Sequence, residues 1–248
     1  MGAWRWAAAS AIGTSHLKKN QQKQDSFKVK EINEGFVACV SDGAGSSSHS
    51  KLGSWLLCRE LSKRFIESIE ETNQLPHQDL VWNWIDEIRD RFISYAQKKE
   101  IKLREFACTL VLLAVYKDKF ISMSLGDSCI VGAVNDVWGV IDWPENGEYA
   151  STTYFITDQP SPRIRFFEGQ CNHSLFALFS DGLNDVALVN KEQRAFEGFF
   201  DPMFKPITLS SDSGYLSSIS QHLKDFLESD FVCNRTDDDK TLILISKI

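Results

Sequence analysis

The sequence has no paired cysteines, so the usual signs of a zinc site or a thiol redox motif are missing. Its six cysteines stand apart, at positions 39, 58, 108, 129, 171 and 233, and none belongs to a C-x-x-C pair. The first four lie within apolar runs, which favours buried free thiols in a reducing compartment. A disulfide-stabilised secreted protein is therefore not expected.

The chain also lacks an apolar run of the ~18–20 residues that a membrane span requires. The N-terminal segment MGAWRWAAASAIG is mostly apolar, but Arg5 interrupts it. A signal peptide places its charge first and follows it with a longer apolar run. We therefore expect a cytoplasmic protein with no membrane partner.

Positive charge and linker residues are scarce as well. Lys and Arg together number 27 against 34 Asp and Glu, which gives a net charge of −7. Binding to nucleic acid depends on clustered cations, so no nucleic-acid partner is expected. The chain has only 6 Pro and 14 Gly, and no linker or repeat divides it. We therefore expect residues 1–248 to form one domain.

What is present is a series of short apolar runs separated by turn residues, which predicts several strands with helices between groups of them. The predicted strands cover residues 4–12, 25–30, 35–41, 109–115, 120–124, 129–134, 138–141, 174–180 and 241–246. Helical spacing of apolar residues predicts helices over 51–71, 79–103 and about 215–227, with a further helical stretch after residue 182. The polar residues 142–165 are expected to form a long surface segment. Because hairpins join most strands, an α+β fold of antiparallel sheets with helices outside fits best.

Five acidic residues stand at the ends of the predicted strands. Asp42, Asp127 and Asp181 follow apolar strands, Asp238 precedes the last strand, and Asp25 opens the strand DSFKV. A single Asp-Gly pair is ordinary turn chemistry, but strand ends on one side of a sheet converge, and carboxylates gathered there repel one another unless a cation lies between them. Oxygen ligands without nearby His or Cys indicate a hard ion, Mg²⁺ or Mn²⁺, rather than zinc.

Six motifs in a fixed order resemble those of the metal-dependent serine/threonine protein phosphatases, the type 2C or PPM family. They are QDSF (24–27), VSDGAGS (40–46), ACTLVLL (107–113), SLGDS (124–128), FSDGLND (179–185) and DDKTLILI (238–245). The resemblance runs from about residue 4 to residue 248. The segment GEYASTTYFITD (147–158) is further similar to compact, stand-alone bacterial members.

The resemblance implies a four-layer α-β-β-α sandwich, with a metal site in a cleft at one end of two antiparallel sheets. It also implies a phosphatase that hydrolyses phosphoserine and phosphothreonine in proteins by attack of a water or hydroxide that bridges two metal ions. The expected cofactors are two Mn²⁺ or Mg²⁺ ions, with a third, weaker ion beside them. The expected partners are a phosphorylated protein substrate and a cognate serine/threonine kinase, and we expect the chain to be a monomer.

Residue by residue, the resemblance assigns Asp42 to bridge the two metals and the carbonyl of Gly43 to bind the second. It assigns Asp181 and Asp238 to the first metal. Because Asp237, Asp238 and Asp239 stand in a row, the identity of the last ligand remains open by one position.

Two further acids complete the implied site. Asp25 matches the family's aspartate that orients or binds metal-bound water. Asp127 matches the aspartate that serves a third, weaker metal in bacterial members. Together with Asp42, Asp181 and Asp238, Asp25 forms the expected catalytic set.

Three positions depart from the family pattern. Gln24 stands where many members have Glu, and Asn20 stands where many have an Arg that grips the substrate phosphate. Ala44 takes the place of a His that eukaryotic members carry just after Asp-Gly and that is proposed as a general acid. These departures leave open an alternative function, in which the chain is a catalytically impaired module that binds phosphopeptides or has a regulatory role. A third interpretation, a two-metal nuclease, is disfavoured by the negative net charge.

The segment before Asp25 offers other groups for the substrate phosphate. His16, Lys18 and Lys19 lie in the turn that should overhang the cleft. A Lys holds phosphate as a point charge and lacks the paired donors of Arg. We therefore expect these three residues to bind phosphate in place of the missing Arg.

Overall fold

The protein is described by a computed structural model over residues 3–145 and 153–248. Its strands are β1 (Trp4–Ala11), β2 (Ser26–Ile32), β3 (Gly35–Ser41), β4 (Leu110–Tyr116), β5 (Lys119–Leu125), β6 (Cys129–Val134), β7 (Val137–Asp142), β8 (Arg165–Gln170), β9 (Leu175–Phe179), β10 (Leu188–Val189), β11 (Arg194–Ala195), β12 (Gly214–Tyr215) and β13 (Lys240–Lys247). Its helices are α1 (Thr14–Lys18), α2 (Ser50–Thr72), α3 (Gln78–Lys99), α4 (Asn184–Ala187), α5 (Glu197–Thr208), α6 (Ser217–Leu227) and α7 (Asp230–Cys233).

Every strand predicted from the sequence is found within two residues of its expected bounds. The helix predicted over 79–103 ends earlier, at Lys99, because Glu100 adopts a left-handed conformation with a φ of 55°. Its N–H bonds back to the Ala96 carbonyl, which closes the last turn of α3. A short 3₁₀ turn, Leu103–Phe106, then leads into β4.

The polar segment expected over residues 142–165 is bounded by two strands. Asp142 ends β7, and Arg165 begins β8, a strand that the sequence pattern did not predict. Within the GEYASTTYFITD motif, residues 147–152 lie outside the described residues.

The main strands form two sheets. One has the order β12-β1-β13-β9-β6-β7, and the other has the order β2-β3-β4-β5-β8. Neighbouring strands pair antiparallel, apart from the two-residue strand β12, which lies parallel to β1 at one edge. A further short pair, β10 with β11, stands apart from both sheets.

Three apolar cores show how the layers are stacked. The core between the two sheets contains Trp4, Phe36, Val111, Phe176 and Ile243. The core between the second sheet and helices α2 and α3 contains Leu57, Phe65, Ile88, Leu112 and Met123. The core between the first sheet and helices α5 and α6 contains Phe179, Phe200, Phe204, Leu223 and Leu242. The order is therefore helices, sheet, sheet, helices, which confirms the four-layer α-β-β-α sandwich and the α+β class.

Within the part of the chain that the structure describes, no helix is both long enough and apolar enough to cross a membrane.

Candidate metal centre

The topology brings three of the predicted acids together at one end of the two sheets. β3 and β5 both flank β4 and run in the same direction, so they end at the same edge and carry Asp42 and Asp127 there. In the other sheet, the end of β9 lies opposite the starts of β6 and β13, which places Asp181 at this end too. One carboxylate oxygen of each of these three residues lies within 4.8 Å of the others.

Asp25 is buried beside this group and is held by two hydroxyl groups. Its Oδ2 accepts hydrogen bonds from Ser180 Oγ at 2.7 Å and Thr241 Oγ1 at 2.6 Å. Its carboxyl is also close enough to that of Asp42 for each to shift the pKa of the other. The contacts with Ser180 and Thr241 tie the start of β2 in one sheet to the end of β9 and the start of β13 in the other.

The three consecutive acids before β13 differ in their surroundings. Asp237 is exposed, Asp238 is half-buried, and Asp239 is buried. The charge of Asp238 acts on Asp42, Asp127 and Asp181. The charge of Asp239 acts on Asp25 instead, so Asp238 and Asp239 influence different members of the acidic group.

Asp239 has a different task, because its carboxylate holds the backbone of the neighbouring segment. Oδ1 accepts a hydrogen bond from Gly13 N at 2.7 Å, and Oδ2 accepts one from Gln24 N at 2.5 Å. Asp25 N is 3.3 Å from the same Oδ2. Asp239 thus fixes the position of Asp25.

Burial and mutual repulsion make the charged form of this acidic group costly. Burial raises the pKa of Asp42 well above its usual range, and the charges of Asp181 and Asp25 raise it further. Burial likewise raises the pKa of Asp181, with added repulsion from Asp127 and Asp238. A divalent cation among these carboxylates would remove the repulsion and favour their ionised forms.

Two other members also have raised pKa values, with partial compensation. Burial raises the pKa of Asp127, and a hydrogen bond from Thr153 opposes the rise. Burial raises the pKa of Asp25, and its hydrogen bonds lower it.

The residues present fit a hard divalent ion. Among the described residues, the buried Oδ1 atoms of Asp25, Asp127 and Asp181 have no hydrogen-bond partner. A buried carboxylate oxygen without a partner is costly in a folded protein. The side-chain donors gathered here are carboxylate oxygens, which Mg²⁺ and Mn²⁺ prefer.

Glycine is required where the chain passes closest to the site. A Cβ at Gly182 would collide with the carbonyl oxygen of Asp239, and a Cβ at Gly43 would lie 2.9 Å from the carbonyl oxygen of Gln24. The Asp-Gly pairs at 42–43 and 181–182 therefore allow close packing of the loops that carry the acids.

The three residues expected to bind phosphate are in different environments. His16 is buried, and its Nδ1 lies 3.0 Å from Asp239 Oδ1. Lys18 and Lys19 are exposed at the end of α1. The structure thus separates a fixed imidazole from two solvated ammonium groups.

Several supporting residues were missed in the sequence. Ser180 and Thr241 bind Asp25, Thr153 binds the Asp127 carboxylate, and Asn184 Nδ2 donates to the Asp127 carbonyl at 2.9 Å. All four lie inside the quoted motifs, and for Ser180, Thr241 and Asn184 the available signal was a polar residue in or next to an apolar strand.

A groove of about 570 Å³ adjoins the acidic group through Thr153. Its lining includes Ser46, Arg104, Thr153, Phe155, Thr157 and Asp158. Thr153 donates a hydrogen bond to Asp127 Oδ2, and Ser46 belongs to the loop that follows Asp42, so both residues connect the groove to the acidic group.

Comparison with known proteins agrees with these features. The sequence model of the protein phosphatase 2C family matches residues 12–228. Serine/threonine-protein phosphatase 3 from Escherichia coli strain K12 is 32% identical over 248 residues, with 98% of each chain covered.

Solved structures of similar fold come from several bacteria. PppA, described as a key regulatory component of T6SS in Pseudomonas aeruginosa, has a TM-score of 0.69 at 17% identity, with both chains covered completely. The serine/threonine phosphatase of S. agalactiae has a TM-score of 0.67 at 15% identity, covering 98% of this chain and 99% of that one. Stp1 from Staphylococcus aureus has a TM-score of 0.63 at 18% identity, covering 97% and 94%. These likenesses concern the fold, whereas the family match covers most of the sequence: the chain belongs to the protein phosphatase 2C family.

Proposed function

We propose that the chain hydrolyses phosphoserine and phosphothreonine in proteins, using two Mn²⁺ or Mg²⁺ ions held by its buried carboxylates. Family membership makes it a protein-serine/threonine phosphatase. The observation that carries the metal requirement is the convergence of Asp42, Asp127 and Asp181 within 4.8 Å. When bound, the divalent ions would supply activated water near neutral pH and neutralise charge on the phosphoryl oxygens.

The proposed ligand roles follow from the position of each acid. Asp42 lies next to both Asp181 and Asp25, which suits a carboxylate shared by two ions. Asp181 and Asp238 would complete the first ion's protein ligands, and the Gly43 carbonyl would bind the second. Mn²⁺ and Mg²⁺ both accept this oxygen-only set.

The two remaining acids would have supporting roles. Asp25 has Oδ2 held by Ser180 and Thr241 and keeps Oδ1 free of partners among the described residues. That oxygen would accept a hydrogen bond from the attacking water and orient it toward phosphorus. Asp127, at the edge of the group, would hold a third, weaker ion.

Substrate binding would combine a positive rim with the groove. His16, Lys18 and Lys19 would face the substrate phosphate from α1. Arg104 is exposed in the groove and would attract acidic residues that flank the phosphorylated side chain. The buried carboxylates without partners do not favour the alternative of an inactive module that only binds phosphopeptides.

We further propose a cytoplasmic enzyme that acts as a monomer opposite a serine/threonine kinase. All six cysteines are free thiols, which suits a reducing compartment. The two sheets share one apolar core, which supports a single domain over residues 1–248.

The direct test is phosphate release from a phosphothreonine peptide by the purified protein with Mn²⁺ and with excess EDTA. We expect release with Mn²⁺ and none with EDTA, and we expect added Mn²⁺ to restore it. Equal release with EDTA would overturn the metal-dependent mechanism. No release from folded, Mn²⁺-saturated protein would overturn the proposed activity on such peptides.

A further inference from the structure

His16 and Asp239 form a buried carboxylate–imidazole pair at the edge of the candidate site. His16 Nδ1 lies 3.0 Å from Asp239 Oδ1, and the two side chains are 6% and 0% exposed. Asp239 is itself fixed by backbone N–H groups on both of its oxygens. The imidazole is therefore held in one orientation, with Nδ1 turned toward the carboxylate.

The other ring nitrogen, Nε2, faces the loop that follows Asp42 and Gly43. It lies 3.8 Å from the position that a Cβ would occupy at Gly45, and Gly45 itself carries no side chain to cover it. Nε2 has no hydrogen-bond partner among the described residues, and unlike the Oδ1 atoms of Asp25 and Asp181 it is not sealed from solvent. A hydrogen on Nε2 is thus available to a ligand bound beside this loop.

Cleavage of a serine or threonine phosphate creates a chemical need for such a donor. The leaving oxygen of an alkyl phosphate is strongly basic, and a proton delivered in the transition state contributes typically 10²- to 10⁴-fold to the rate. Ala44, in the loop itself, has no proton to give. The carboxylate of Asp239 holds Nδ1 of His16 and leaves Nε2 turned toward the loop.

We propose that His16, positioned by Asp239, donates the proton to the leaving serine or threonine oxygen. This role rests on the proposed phosphatase function and extends the phosphate-binding role expected for His16. Asp239 is then a positioning residue, and His16 touches the reacting atoms.

The proton and electron balance of the step is simple. The oxygen of water forms a bond to phosphorus as the bond from phosphorus to the serine oxygen breaks. The electron pair of the broken bond takes the proton from Nε2, which leaves a neutral imidazole and a free hydroxyl group. The proton lost by the attacking water returns to the ring through solvent.

Two substitutions of His16 distinguish proton donation by Nε2 from the hydrogen bond between Nδ1 and Asp239. In His16→Asn, the amide nitrogen can take the place of Nδ1 and keep the bond to Asp239, but nothing replaces Nε2. In His16→Gln, the amide nitrogen can take the place of Nε2 and bind phosphate, but it cannot give up a proton. His222→Gln, at an exposed position on α6, is the matched control.

Each protein is assayed with Mn²⁺ on a phosphothreonine peptide and on p-nitrophenyl phosphate, whose phenolate leaves without a proton. We expect both His16 variants to lose about a hundredfold or more in kcat on the peptide. We expect only a few-fold change on the aryl phosphate, with unchanged thermal unfolding and Mn²⁺ affinity. The control should match wild type on both substrates.

Equal losses on the two substrates would overturn the proposal and leave His16 as a phosphate ligand. Unchanged turnover of the peptide would also overturn it. If wild type released phosphate from neither substrate, the proposed phosphatase function would fail first, and that outcome is distinct from a failure of His16 alone.

Discussion

Asp42 and Asp181 lie buried among other carboxylates, and this arrangement works against the stability of the protein without metal. Burial and like charges raise the pKa of both residues. The folded chain therefore binds protons at these positions more tightly than the unfolded chain does. Metal binding has the opposite requirement, because a carboxylate must lose its proton to become a ligand.

These shifts predict how stability depends on pH when metal is removed. A folded-state pKa above the unfolded value of about 3.9 gives a contribution that is complete at lower pH and is lost as pH rises through the folded-state value. With EDTA present, we expect this contribution to the free energy of unfolding to decline as pH rises above about 4. Urea unfolding at a series of pH values measures it.

Asp181→Asn isolates the effect, because it removes one titrating group and one negative charge. Its free energy of unfolding in EDTA should fall less steeply with pH than that of wild type, and the two curves should separate most at neutral to alkaline pH. Parallel curves for the two proteins would contradict the account of the acidic group.

The sequence alone identified some residues of the candidate site but not others. Asp42 and Asp181 were recognisable because each follows an apolar strand and precedes Gly. The row Asp237 to Asp239 could not be resolved, since three identical side chains give no pattern. The structure distinguishes them. Asp239 is buried and accepts hydrogen bonds from the backbone, which gives it a positioning role. Asp238 is half-buried, and its charge raises the pKa of Asp181.

At the level of elements, short periodic patterns predicted most strands, whereas tertiary packing decides the rest. α5 contains Pro202 and Pro206 within the helix, which each cost about 3 kcal/mol in a helix interior. The helix persists because its buried apolar residues stabilise it by about 1.5–3 kcal/mol each. They are Phe199, Phe200, Phe204 and Ile207. A sequence rule that ends helices at proline could not foresee this.

β8 was missed for a related reason. Its sequence RFFEGQ lacks a regular alternation of apolar and polar residues, and it pairs with β5 at the edge of a sheet. Arg165, at its start, is held by an ion pair with Asp142 at 2.6 Å. Contacts between residues far apart in the sequence therefore define this strand.

The close approach of loops predicts a strong effect of a small substitution. In Gly182→Ala, the added Cβ would meet the Asp239 carbonyl oxygen, which must then shift together with Asp238. We expect a loss of about 1–3 kcal/mol in the free energy of unfolding, together with weaker Mn²⁺ binding. Urea unfolding and Mn²⁺ titration measure the two effects.

Gly139→Ala is the matched control, because a Cβ added at Gly139 would lie 4.0 Å from its nearest neighbour, the carbonyl oxygen of Gly132. We expect this variant to keep the Mn²⁺ affinity of wild type. If Gly182→Ala bound Mn²⁺ as tightly as Gly139→Ala does, the close packing of the loop would not be needed for the site.

At the level of the whole molecule, the stacking of two sheets creates the site. Asp42 and Asp127 come from one sheet's edge, and Asp181 and Asp238 come from the other's. The order of strands in a sheet cannot be derived from periodicity alone, so the four-layer arrangement was predicted through the family resemblance. The composition predicted a globular protein. The order of the motifs carried the family resemblance, which assigned the acids to one metal site.

The most direct test of the central claim compares Asp42→Asn with wild type in Mn²⁺-dependent phosphate release from a phosphothreonine peptide. Asp79→Asn, at an exposed position on α3, is the control for the loss of one carboxylate. We expect Asp42→Asn to remain folded and to lose about a hundred- to a thousandfold or more in turnover, whereas Asp79→Asn retains wild-type turnover. An Asp42→Asn variant with wild-type turnover would contradict the assignment of the buried carboxylates as the metal centre.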